Sequence, residues 1–470
     1  MKRKLLHNFS ANALQLIINQ LFGLVIFYIL STGLSKDSFG QLNLALAILL
    51  AAFNILSCGI DQVIIKKIAG GDDQQSVLSL YIGHTLITGL LCYGLFLAGV
   101  AIFPNHSSIY NLILLIGIGK LMIYFSTPFK QTANGLELFK LMAYLSVISN
   151  FIRSVCLVAA VLLHRLNFPV IIAVFVIGDT LELAIGIFLF KRMAKVPLKI
   201  KWDKAAYFSL VRESLPQTGV VLITSALARF DWIFIGIILS AVKLAEYSFA
   251  YKIFEMATLP LLAIAPLLIP RFTKMFKQGN IDIAGLKYLI RMEFVVAALV
   301  ILLLNIYWAP VIDRVTAGKY GAINVNTIFI LSLCMPLLYL NNFLWTIYFA
   351  QGKLKMILNS FILTLAVNVL GDVILIPLYK NEGAAFAFLL ACIAQTIFYL
   401  QKNTIAELKN VWQPLIITTT CALCSGFGAK ALLANSWLLL PAAIVFYFIL
   451  LVTAGQLRLN DGERFKAIFS

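Results

Sequence analysis

Charge is what this sequence has least of. Only 12% of its 470 residues are Asp, Glu, Lys or Arg, about half the share of a typical soluble domain. That is too little polar cover for a water-soluble chain of this size, which excludes a cytosolic multidomain enzyme. Histidine is scarce too, and His7, His84, His106 and His164 have no metal-ligand spacing. The seven cysteines, at 58, 92, 156, 334, 392, 421 and 424, all fall in apolar segments, where a thiol behaves as a small hydrophobe. Cys421 and Cys424 form a C-x-x-C, but without the strand–turn context or the second pair that redox or zinc chemistry requires. There is no G-x-x-x-x-G-K-[ST] and no polar segment long enough for an ATPase domain. Nothing pairs a nucleophile with a base, and no loop holds two catalytic carboxylates. The chain reads as a non-enzyme with no metal site.

What fills the space is apolar. Hydrophobic residues make up 61% of the chain and the mean hydropathy is +0.95, which excludes disorder and predicts an all-α polytopic membrane protein. Lys2, Arg3 and Lys4 lead into an apolar run over 9–30. That run exceeds the roughly 7–15 residues of a signal-peptide core and has no small-residue cleavage site, so it reads as a retained first span. A bilayer crossing needs about 20 apolar residues. Cutting at Pro, Gly and charge clusters gives spans 9–31, 40–60, 77–103, 109–131, 142–163, 168–190, 216–240, 246–270, 286–308, 323–350, 355–376, 383–401, 412–433 and 436–456. That makes about fourteen transmembrane helices.

The positive-inside rule tests the count. With the N-terminus cytoplasmic, Lys and Arg favour one side by about four to one, the largest cluster running from Lys191 to Arg212. Both termini are then expected in the cytoplasm of a multi-pass plasma-membrane protein. The net charge of +17 reads as topology and attraction to anionic lipid, with no nucleic acid as partner.

The polar stretch 191–213 separates six spans from six, with two left over, and the halves echo each other. Ser38-Phe39-Gly40 matches Ser248-Phe249-Ala250, Ala133-Asn134-Gly135 matches Ala350-Gln351-Gly352, and Asn150 matches Asn368, in one order. An even number of spans per repeat gives parallel repeats related by an axis along the membrane normal. The expected architecture is therefore two pseudo-symmetric six-helix lobes around a central cavity, 1–200 and 201–405, followed by 406–470 with two further helices and a cytoplasmic tail.

Inside the spans, polar residues are the candidates for function. Asn8, Asn12, Gln15 and Asn19 recur on one face of the first span, lining a cavity or hydrogen-bonding a neighbouring helix. An ionisable residue at a helix centre costs about 2.5–3.5 kcal/mol on insertion scales. Lys120, Arg153, Arg229 and Lys252 are the deep bases; Asp179, Glu182, Asp231, Glu255, Glu293 and Asp372 are the deep acids. Asp179 and Glu182 share a face, Lys252 and Glu255 can pair locally, and Arg229 and Asp231 point apart. Interhelical ion pairs are one account. The other is function, in which Arg153 and Arg229 offer planar donor forks to phosphate oxygens.

A resemblance now enters through particular stretches. Leu34-Ser35-Lys36-Asp37-Ser38-Phe39-Gly40-Gln41-Leu42-Asn43-Leu44-Ala45 resembles the first loop and second helix of Wzx-type polysaccharide flippases, of the MOP (multidrug/oligosaccharidyl-lipid/polysaccharide) exporter superfamily. Similar likenesses lie in Arg229-Phe230-Asp231-Trp232-Ile233-Phe234-Ile235-Gly236, in Glu246-Tyr247-Ser248-Phe249-Ala250-Tyr251, and in Gly383-Ala384-Ala385-Phe386-Ala387. The resemblance implies a MATE-like fold. It also implies movement of an undecaprenyl-pyrophosphate-linked oligosaccharide, an O antigen or similar surface-polysaccharide unit, across a bacterial inner membrane. Partners would be that lipid-linked substrate, membrane lipid and other polysaccharide-assembly membrane proteins. On this reading Arg153 and Arg229, then Lys120 and Lys252, attract the pyrophosphate, and Asn12, Gln15 and Asn19 line the sugar path. Asp231, Glu255, Asp179 or Glu182 would carry a coupling H+ or Na+, with no other cofactor. The alternatives are a cation-coupled multidrug exporter, a lipid II flippase, or a non-transporting scaffold.

Overall fold

The computed structural model describes residues 2–102, 108–198, 202–279, 282–403, 405, 408, 410–433, 438–458 and 461. Within them, side chains are described from residue 18 onward, except 100, 101, 102, 108, 139, 216, 260, 262–267 and 270. The described residues form α-helices and one short 3-10 turn, with no strand.

The expected spans appear as helices in order. They are α1 (Lys2–Gly33), α2 (Lys36–Leu56), α4 (Gln74–Ile102), α5 (Ser108–Gly135), α6 (Phe139–Leu162), α7 (Phe168–Ala194) and α8 (Lys204–Ile238). The series continues with α11 (Ile283–Ile306), α13 (Val325–Ala350), α14 (Leu354–Gln401), α15 (Trp412–Leu432) and α16 (Leu439–Thr453). Ten described helices are long and apolar enough to cross a membrane, with Ile18–Gly33 and Leu439–Thr453 as shorter apolar helices.

Three features depart from the expected boundaries. The span expected at 246–270 is broken at Thr258 into α9 (Ala241–Ala257) and α10 (Leu259–Gln278). Two short helices were not expected: α3 (Ile60–Ala69) follows a bend at Cys58 and Gly59, and α12 (Trp308–Thr316) follows α11. The third is the boundary inside α14, where two helices, the two expected spans, meet in a tight reversal at Lys380 (φ 54°, ψ −127°) with no loop between them. The two pair antiparallel. A Cβ at Gly371 would lie 2.8 Å from Ala387 Cβ, and one at Gly383 would run into the Leu375 carbonyl. The separate spans 355–376 and 383–401 are thus one hairpin.

Helix starts are written locally. Ser35, Asn167, Asp203 and Asp282 cap α2, α7, α8 and α11 by accepting from backbone N–H groups of the first turn, which satisfies donors that a helix start leaves unpaired. Lys191 and Arg192 close α7 where cations suit the helix dipole.

By contact the chain forms two compact units, Met1–Ala245 and Glu246–Ser470. That boundary differs from the 200/201 division drawn from the internal repeat, because α8 packs on α2 and α3 within the first unit. In this unit α5 is central, touching α2, α3, α4, α6 and α7, while α1 lies along α6. In the second, α13 is central against α10, α11 and α14, and α11 carries α15 and α16. Tyr447 Oη donates to Val295 O at 2.7 Å and ties α16 to α11.

The outward faces are apolar, as a lipid environment requires. On α4, Ile87, Leu90, Leu91 and Leu95 recur at steps of three and four and are each more than half exposed, while Arg153, Asp179 and Glu182 are buried.

The α14 reversal gives a first prediction. Gly383→Leu should lower the unfolding temperature strongly, since the clash is with backbone, whereas Gly94→Ala on open α4 surface should change stability by no more than about 0.5 kcal/mol. Fluorescence-monitored melting of both purified variants distinguishes the two.

Candidate functional site

Three helices of the first unit bring the deep charges together. Arg153 projects from α6 and donates through Nη2 to Asp179 Oδ1 on α7. Ser149, one turn back on α6, donates its hydroxyl to the same oxygen at 2.7 Å. The guanidinium carbon sits 4.4 Å from the centroid of Phe175, which lies one turn before Asp179. From α5, Lys120 Nζ stands 4.0 Å from Asp179 Oδ2. One turn further along α7, Glu182 Oε1 accepts from Lys130 Nζ and from Ser126 Oγ, the latter at 3.2 Å.

Glycine makes room for this ladder. A Cβ at Gly119 would lie 2.8 Å from Asp179 Oδ2, and one at Gly178 would lie 2.9 Å from Arg153 Cγ. Asp179 has no exposed surface, and Glu182 and Arg153 are nearly as buried. Buried charges persist only when paired and hydrogen-bonded. Yet Asp179 Oδ2 and Arg153 Nε have no hydrogen-bond partner among the described residues. Three cations face two carboxylates, so the group carries one positive charge in excess.

The other candidates lie elsewhere. Arg229 is on α8, where Nη1 donates to Ala228 O at 2.8 Å and the guanidinium lies 4.4 Å from the Trp232 ring centroid. Asp231 is buried and accepts from the Trp232 N–H at 2.8 Å. Lys252 and Glu255 pair along α9 at 2.8 Å. Asn19 accepts from Asn150 Nδ2 at 2.7 Å, an interhelical bond between α1 and α6. The side chains of Asn12 and Gln15 lie outside the described residues. In the second unit, Asn368 donates to Asp372 Oδ2 at 3.0 Å, and Glu293 is buried in α11 with Oε2 unpartnered among the described residues.

Sequence reasoning placed Lys130 at the cytoplasmic end of the span 109–131 and gave it no role; α5 continues past it to Gly135. It also missed Ser126 and Ser149. Each precedes a basic residue by four positions on its own helix, a spacing that puts the two on one face.

A second polar group sits around α3. Tyr81 Oη donates to Asp61 Oδ1. His84 Nε2 lies 2.9 Å from Leu56 O and Nδ1 lies 3.1 Å from Tyr207 Oη. A carbonyl only accepts, so Nε2 carries the proton, and in the neutral ring Nδ1 accepts from the tyrosine. Burial pushes the Asp61 carboxyl up to about 6. Nearby, Lys67 Nζ meets Glu213 Oε2 at 2.9 Å, and that hydrogen bond holds the Glu213 carboxyl below its ordinary range.

The order of apolar helices, their lipid-facing outer faces and a buried ion cluster define an all-α polytopic membrane protein. A lipid II flippase, MurJ, in an inward closed conformation has the same fold, with a TM-score of 0.75 at 13% identity over 94% of this chain and 97% of that one. An inward-facing multidrug resistance MATE family transporter aligns with a TM-score of 0.65 at 14% identity, over 85% of this chain and 99% of the other. A MOP superfamily transporter from Pyrococcus furiosus, whose binding pocket is described as having reverse polarity, aligns at 0.58 and 15% identity over 86% and 95%. No curated protein sequence matches. Residues 5–276 match the family described as polysaccharide biosynthesis protein, and the chain belongs to that family.

Two predictions follow from the geometry. Arg153→Ala leaves the buried Asp179 with the Ser149 hydroxyl and only the more distant Lys120 as a cation and should cost about 3–5 kcal/mol, whereas replacing both partners by leucine should recover most of it; a double-mutant cycle by thermal unfolding measures this. For Asp61, a raised folded-state value means the native state favours the proton. Its stabilising contribution is complete below about pH 4 and is lost as the pH rises through about 6. Asp61→Asn should therefore flatten the pH dependence of the unfolding temperature across that window.

Proposed function

We propose that the protein is a Wzx-type flippase that moves an undecaprenyl-pyrophosphate-linked oligosaccharide, a unit of O antigen or another surface polysaccharide, across a bacterial inner membrane by alternating access. The observation that carries this reading is the excess positive charge of the Lys120–Lys130–Arg153–Asp179–Glu182 group. It lies within the span matched by the polysaccharide biosynthesis family. A pyrophosphate is a compact anion, and a partly desolvated cation attracts it more strongly than one in water. Arg153 is already engaged by Asp179, so Lys120, 4.0 Å from its nearest carboxylate oxygen, is the leading anion-attracting group. Arg229 and Lys252 follow, with Asn12, Gln15 and Asn19 along the sugar path.

On this proposal the two repeats form lobes around a central path and both termini are cytoplasmic. Energy comes from a coupled H+ or Na+ carried by Asp179, Glu182, Asp231 or Glu255, or from consumption of the product outside. Other polysaccharide-assembly membrane proteins would take the product. A multidrug exporter for cationic compounds would need an interior with net negative charge, and the group in the first unit has the opposite sign. The likeness to the lipid II flippase keeps that substrate as the competing anionic lipid.

The test is translocation of a labelled polyprenyl-pyrophosphate oligosaccharide in proteoliposomes, at matched amounts of folded protein. Wild type should flip the lipid and Lys120→Ala should slow it by about tenfold or more, the effect of losing one charged hydrogen bond of about 1.5–3 kcal/mol. Lys120→Arg should keep most of the rate. Equal rates in wild type and Lys120→Ala remove the site. Export of a cationic dye with no lipid movement removes the function.

A further inference from the structure

The second unit holds a cavity of about 600 Å³ that the charge group in the first unit does not involve. It is a half-open cleft between the C-terminal ends of α11 and α15, the N-terminal ends of α13 and α16, and α12. Its polar groups gather at this one membrane-facing end. Asn305 ends α11, Asn326 stands in the first turn of α13, and Lys430 is in the last turn of α15. The rest of the wall is aliphatic and aromatic, with Trp308, Phe329 and Phe427 closest to the polar end.

Three physical points fix the chemistry of an occupant. Three of the walls, α11, α13 and α15, are long and apolar enough to cross a membrane, so an occupant entering between them comes from lipid. Tyr307 and Trp308 close the polar end, Trp308 being buried with its Nε1 donating to Gly321 O at 2.9 Å. The lining has one cation and no carboxylate. Lys430 Nζ donates to Asn305 O at 3.0 Å, and an ammonium has three N–H groups. The start of α13 runs on from the 3-10 turn, where the Val325 N–H is already bonded to Ala322 O, so Lys430 is the group that favours an anion. An apolar slot capped by a cation suits a phosphodiester with an acyl chain behind it.

We infer that this cavity is a binding site for an anionic glycerophospholipid, with the headgroup phosphate on Lys430 and the first part of an acyl chain between α11 and α15. The site is separate from the proposed translocation chemistry, and its test involves no transport, so failure of one leaves the other standing.

The full-length protein is reconstituted in bilayers of equal phosphatidylglycerol and phosphatidylethanolamine, extracted gently, and its retained lipid identified by native mass spectrometry. Wild type should keep one phosphatidylglycerol per chain in preference to phosphatidylethanolamine. Lys430→Glu should cut that retention by about tenfold, as loss of roughly 1.4 kcal/mol does, and Lys430→Arg should preserve it. Gly426→Leu fills the slot without altering charge, because a Cβ there would already lie 3.1 Å from Leu302 Cδ1; it should abolish retention while the melting temperature stays near wild type. The inference is overturned by retention without headgroup preference or by retention unchanged in Lys430→Glu. It is equally overturned if polyprenyl phosphate displaces the phosphatidylglycerol, since the cavity would then belong to the substrate lipid.

Discussion

Asp179 has no exposed surface, and the arrangement of three helices follows from what a carboxylate needs in such a place. Left alone it would have to take up a proton or lose several kcal/mol of solvation. Arg153 from α6, Ser149 beside it and Lys120 from α5 supply what water would have supplied. Glycines at 119 and 178 let α5 and α6 come close enough to do so. Lys130 and Glu182 repeat the arrangement one turn along α7. The helices are held in register by electrostatics, which are directional and strong away from water, since burial of apolar surface offers little to helices already surrounded by lipid.

The same interaction gives the interior its sign. Two carboxylates and three bases cannot neutralise one another fully, and the surplus sits on side chains that retain some exposure: Lys120 at 20% and Lys130 at 23%. An interior of this kind attracts anions and repels cations before any ligand is in contact.

Much of this was legible in the sequence. Spans of about 20 apolar residues bounded by Pro, Gly and charge predicted the helical order, and the deep Arg153, Asp179 and Glu182 stood out because charge in such segments is costly. The partnerships were not legible. Arg153 and Asp179 lie on different helices, and spacing along one helix says nothing about who faces whom across a gap. Lys130 falls at the end of the expected span 109–131, where a cation reads as topology, yet α5 runs through to Gly135 with Pro128 inside it. The short helices α3 and α12, of 10 and 9 residues, are amphipathic and fall below any window sized for a bilayer crossing. The break at Thr258 is marked locally by Pro260 in the first turn of α10, which a span drawn over 246–270 runs across.

The charge group also bears on how the chain is made. A ribosome releases α5 with its two lysines, then α6 with Arg153, and only afterwards α7 with the two carboxylates. For that interval three cations belong to helices that hold no carboxylate, each costing about 2.5–3.5 kcal/mol at a helix centre. The first stretch that can leave the insertion machinery neutralised ends beyond Glu182. The cations of α5 and α6 therefore acquire their carboxylate partners only once α7 has been made.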